Sequence, residues 1–278
     1  MTYKSILLHM EPGEEADGRL QIACALAARL DALLIGVDAA MLQVPVIDPT
    51  GFAAVDADLI TAERQAFDAE FEESAKKFQA AAAAKNLPTK WFNNLEFPAD
   101  VMCRHARAAD LLVIGHGATA TTASPQHAMD PGDVLMQAGR PVLVIPPGLS
   151  ELRLEHVIIA WKGTREARRA IADSIALLRL AGKATVLAVC PEGDAEAVRS
   201  EIEDVADYLA RHEIAAEHEV RIRPPDGVAD EILRAARERQ SDLIVSGAYG
   251  HARMREWVFG GVTHDLLKKS TAATFLSH

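Results

Sequence analysis

The chain has 278 residues, a quarter of them charged and about half apolar, with a net charge of −11, of which residues 1–150 carry −8. That length suits two domains, and the acidic balance argues against a partner bound through a nucleic-acid backbone. No long uncharged apolar stretch or signal-like N-terminus is present, and Cys24, Cys103 and Cys190 have neither ligand nor disulfide spacing, so the expectation is a cytoplasmic protein away from membranes.

The chain reads as alternating strands and helices. Residues 4–9 form a first strand, and 15–31 a helix with Leu20, Ala23, Cys24, Ala27 and Leu30 on one face. A second strand follows at 33–37, an irregular insertion with Pro45, Pro49 and Gly51 at 39–57, and a long helix over 58–86. A short strand at 90–93, a helix at 100–109, a strand at 110–115, a helix at 133–138 and a strand at 141–145 complete the first half. The second half repeats the order: strand 157–161, helix 164–180 with Thr164 as N-cap, strand 184–189, helix 194–211, strand 217–222, helix 228–239, strand 243–245, helix 262–269 and strand 273–276. The closest internal match is Asp110-Leu-Leu-Val-Ile-Gly115 against Asp242-Leu-Ile-Val-Ser-Gly247, 132 residues apart. This predicts an α/β protein of two tandem five-stranded parallel-sheet domains, 1–148 and 149–278, each doubly wound with helices on both faces. In such sheets ligands sit at the carboxyl ends of the strands.

The stretch from Ser241 to Thr263 runs strand, Gly247, Gly250, loop, Gly260-Gly261, helix. Glycines let backbone N–H groups approach an anion, and a helix start adds unpaired donors, so together they can cradle a phosphate. The same spacing also suits a glycine-rich turn with no ligand. Gly182-Lys183-Ala184-Thr185 lacks the first glycine of a P-loop and precedes a strand. His116, His127, His251 and His264 show no metal-ligand spacing, and His251 and Arg253 either reach a phosphate or face water. Trp257-Val258-Phe259 reads as a packing plug or a partner contact.

Gly247-x2-Gly250-x9-Gly260, then a small residue and Val262-Thr263, resembles the ATP-binding signature of the universal stress protein (UspA) family, and the likeness extends over the chain as two copies. The resemblance implies ATP, with or without Mg2+, or another nucleotide in the second half, and a sensing or signalling role under stress. It puts Gly247, Gly250, Gly260, Gly261, Val262 and Thr263 on the phosphate and ribose side, and Ala160, Lys162 and Val189 near base and sugar. Two residues depart from the pattern. Gly261 stands where the family has Ser or Thr, and Lys162 where it has Asp, so Lys162 either meets a phosphate or is a solvated surface residue. In the first half, Gly117 follows Gly115 too soon, the loop runs on through Thr119, Thr121, Thr122 and Ser124, and Met129-Asp130 replaces the glycine pair. That half is expected to bind no triphosphate. Family members pair through strand five, which implies that Val142–Ile145 and Ala273–Leu276 meet within one chain as a pseudo-dimer and leaves a further homodimer open. A slow ATPase and a ligand-free interaction module are the competing readings.

Overall fold

The computed structural model describes residues 2–42, 57–117, 125–250 and 261–278. In the first half β1 (Ser5–Met10), β2 (Leu33–Ala39), β3 (Thr89–Asn94), β4 (Leu111–Gly115) and β5 (Val142–Ile145) alternate with α1 (Glu14–Leu30), α2 (Ala57–Ala83), α3 (Pro98–Ala106) and α4 (Pro131–Gln137). The second half has β6 (His156–Trp161), β7 (Lys183–Cys190), β8 (Ala216–Ile222), β9 (Leu243–Gly247) and β10 (Ala273–Ser277), with α5 (Arg165–Leu178), α6 (Ala195–Arg211), α7 (Val228–Glu238) and α8 (Gly261–Lys269) between them. Most of the insertion expected at 39–57 lies outside the described residues.

The ten strands form one sheet in the order β3-β2-β1-β4-β5-β10-β9-β6-β7-β8. Each half is parallel throughout; the halves are joined by the antiparallel pair β5–β10, with Thr274 opposite Val144, Phe275 opposite Leu143 and Leu276 opposite Val142. The two five-stranded units are therefore joined edge to edge. The reason is chemical. Both strands are fully buried, and each would otherwise present an unpaired hydrogen-bonding edge.

One core runs beneath both halves. Ile22 and Leu26 of α1 share a cluster with Ile171 and Ile175 of α5 and with Phe275. On the opposite face there are two clusters, one under α3 and α4 that also takes in Ala248 and Leu276 of the second half, and one under α7 and α8.

The repeated Asp-Leu-(Leu/Ile)-Val wording has a structural cause. The Asp110 carboxylate accepts from the backbone N–H of Lys4 at 2.8 Å and of Ser5 at 3.0 Å, tying the entry of β4 to the entry of β1. Asp242 does the same for the second half, accepting from the N–H groups of Arg153 and Leu154. Each aspartate thus holds together the two strands at which the strand order of its half reverses.

Thr164 caps α5 as expected, its hydroxyl accepting from Ala167 N–H at 3.3 Å. Thr164→Ala is expected to cost about 1 kcal/mol, the usual worth of an N-cap, read as a shift in the urea midpoint at constant slope.

Candidate functional site

The order of strands reverses direction between β9 and β6, so the carboxyl ends of these two strands border a crevice. In-register pairing sets Ala160 beside Ser246 and Leu187, so the ends of β6, β7 and β9 lie level. Ala160 and Val189 are half-buried and pack, with Val262 of α8, against the same apolar cluster. The structure thus gathers three of the expected base-and-sugar or phosphate-side residues on one surface. Lys162 is exposed just beyond β6, and among the described residues no carboxylate lies within ion-pair distance of it. Thr263 is buried in the first turn of α8.

The glycines divide sharply. A Cβ on Gly247 would stand 2.5 Å from the backbone nitrogen of Ala167 and 2.6 Å from the carbonyl carbon of Glu166. Close approach of β9 to the start of α5 explains Gly247 without any ligand. Among the described residues, a Cβ on Gly250 would meet only a Glu166 carboxylate oxygen, at 3.6 Å, and one on Gly261 would meet nothing within 4 Å. Gly261 also opens α8, where glycine is a poor helix former. Packing by the described residues accounts for neither of these two. Gly260, His251, Arg253 and Trp257 to Phe259 lie outside the described residues.

Between Gly247 and Gly250, Tyr249 holds a left-handed backbone with φ 51°. Its counterpart 132 residues earlier is Gly117, at φ 91°. Gly117 therefore occupies the left-handed turn position and is not a displaced copy of Gly250. Thr119, Thr121, Thr122 and Ser124 lie outside the described residues.

The first half has filled the equivalent crevice with its own side chains. The Arg19 guanidinium sits where a Cβ on Gly115 would be. Its Nε donates to the His9 carbonyl at 3.0 Å and its Nη2 pairs with Glu11 at 2.9 Å, the arginine being almost wholly buried. The start of α4 is closed too, because the Asp130 carboxylate accepts from Gly132 N–H at 2.7 Å. Beside this lies a buried cluster at the ends of β1 and β2. The His127 ring nitrogen is 3.5 Å from Asp38 and 3.8 Å from Glu70, with the ring edge-on to Phe67 and Phe71. Burial drives the Asp38 carboxyl up to about 7, although Ser74 and the Ala39 amide favour its anion. Burial likewise pushes His9 down to about 4. None of this cluster was apparent in the sequence, where His127 shows only the lack of metal-ligand spacing. Among the described residues no three His, Cys, Asp or Glu side chains are arranged to hold a metal ion.

A cavity of about 510 Å³ opens at the seam between the halves, lined by His116, Met129, Asp130, Tyr249, His264 and Lys268 among others. None of the described expected site residues lines it, so the residues that carry the signature, and not this hollow, define the candidate site.

Residues 153–276 match the sequence model of the Universal stress protein family. That stretch, a little under half of the chain, is similar to a universal stress protein domain. The match begins just before β6 and ends within β10, so it contains both strand ends that border the crevice. No curated protein matches the sequence. The whole fold has structural counterparts. A universal stress protein from Archaeoglobus fulgidus superposes with a TM-score of 0.73 at 15% identity, over 98% of this chain and 95% of that one. A putative universal stress protein from Pseudomonas aeruginosa gives 0.61 at 15% identity, over 99% and 93%. At such identities the likeness concerns the fold alone: these chains share the path of the universal stress protein domain and of the half that precedes it. Among the described residues no helix is long and apolar enough to cross a membrane.

Proposed function

We propose that this chain is a tandem universal stress protein whose second half, residues 149–278, binds ATP or a related nucleotide and acts as a cytoplasmic sensor or signalling protein under stress. The phosphates and ribose rest on Gly250, Gly260, Gly261, Val262 and Thr263, with Gly247 below them. The base lies against Ala160 and Val189, and Lys162 reaches a phosphate from the rim. The observation that carries this reading is the pair of glycines that packing among the described residues does not require. Gly250 and Gly261 face ordinary contact distance and open space, and bare backbone N–H groups at a helix start are what a phosphate needs. The first half, residues 1–148, serves as the partner across β5–β10 and takes no triphosphate, in keeping with the Arg19–Glu11 pair and the Asp130 cap.

Isothermal titration of the full chain with Mg-ATP tests this. Saturable binding is expected, and Gly250→Ala is expected to weaken it by roughly tenfold while changing stability by no more than about 0.5 kcal/mol, as for a surface substitution whose new methyl group meets only ordinary contact distance. Absence of saturable heat with the natural protein would sink the assignment.

A further inference from the structure

Glu166, the second residue of α5, is only 3% exposed although it lies at the open end of the sheet. One of its carboxylate oxygens, Oε1, accepts from Arg165 Nε at 2.5 Å. The other, Oε2, is the atom 3.6 Å from where a Cβ on Gly250 would stand. Burial alone would raise its pKa, but the bonds from Arg165, from its own amide and from the Thr164 hydroxyl hold the carboxyl below the usual range. It is therefore an anion at neutral pH. Arg165 is half-exposed, so water shares its charge and it offsets the carboxylate only in part.

A polyphosphate resting on the Gly250 amide meets this fixed negative charge at close range. A hard divalent cation resolves the conflict, because Mg2+ is commonly held by one carboxylate together with phosphate oxygens and waters. We propose that Glu166 makes the second-half site selective for the divalent-cation complex of its nucleotide, with Oε2 facing the cation. This rests on the nucleotide reading above and adds to it the form in which the ligand must arrive.

The test is titration of the full chain with ATP in Mg2+ and in EDTA, for the natural protein, Glu166→Gln and, should the amide fold poorly, Glu166→Ala. The natural protein is expected to bind at least tenfold more weakly in EDTA, and the variants to bind within about twofold in the two conditions. Equal affinity of the natural protein in Mg2+ and EDTA overturns the proposal but leaves nucleotide binding standing. Variants that keep the natural protein's preference for Mg2+ overturn it equally. No binding by the natural protein in either condition removes the nucleotide reading, and this inference with it.

Discussion

Gly247→Val is expected to destabilise the protein by about 3 kcal/mol, with or without nucleotide, as overpacking against immovable backbone does. The added Cβ would lie 2.5 Å from Ala167 nitrogen and 2.6 Å from the Glu166 carbonyl carbon. Neither is the end of a flexible side chain. Both belong to the first turn of α5, whose entry is fixed by the Thr164 cap and whose length packs on β9 and β10. The strand cannot retreat either, because β9 is hydrogen-bonded on both sides, to β6 and to β10. Urea denaturation reads the effect as a lower midpoint at constant slope. The contrast with Gly250→Ala is what makes the result informative. Two glycines from one sequence signature should separate, one failing in stability and the other in ligand affinity. If Gly247→Val costs less than about 1 kcal/mol, within the range of ordinary surface changes, α5 has room to move and the packing account of this glycine is wrong.

The separation also marks what the sequence could and could not disclose. Strand positions were legible because runs such as Leu111–Ile114 and Leu243–Val245 are too short and too apolar for anything but a buried parallel strand. The meeting of β5 with β10 was implied by the family resemblance, and it fits two sheet edges that need covering. The polar interior was not legible. Arg19, Glu166 and Asp38 have the composition of solvated surface residues, and local pattern gives no sign that they are buried. Their burial depends on what reaches them from elsewhere: Gly115 against Arg19, the Gly250 loop against Glu166, and His127 and Glu70 against Asp38. Gly117 shows the limit from the other side. Matched by letter it is a signature glycine one place out of step, whereas matched by backbone angle it is the equivalent of Tyr249.

Asp38→Asn is expected to gain about 4 kcal/mol on the natural protein between pH 4 and pH 8, from roughly three pKa units at about 1.4 kcal/mol each. Burial raises the Asp38 carboxyl to about 7, with Glu11 and Glu70 adding to the rise. The folded chain therefore keeps a proton that the unfolded chain loses near pH 4, and stability falls as pH climbs through 7. His9 works in the opposite sense. Burial lowers its imidazole to about 4, with Arg19 and His127 assisting and Glu11 resisting. Stability from that group is whole above about 6.5, the ordinary histidine value, and is lost as pH falls through 4. Over the acid side of neutrality the two slopes oppose one another, so the natural protein's stability is nearly level there as far as this pair is concerned. The amide removes one slope and exposes the other. The variant should then lose about 3 kcal/mol between pH 7 and pH 4 through His9, by the same conversion. Urea midpoints of both proteins across this range measure the difference directly. A gap between variant and natural protein that does not change with pH would mean that Asp38 is ionised throughout and that its neighbours, not a retained proton, accommodate it.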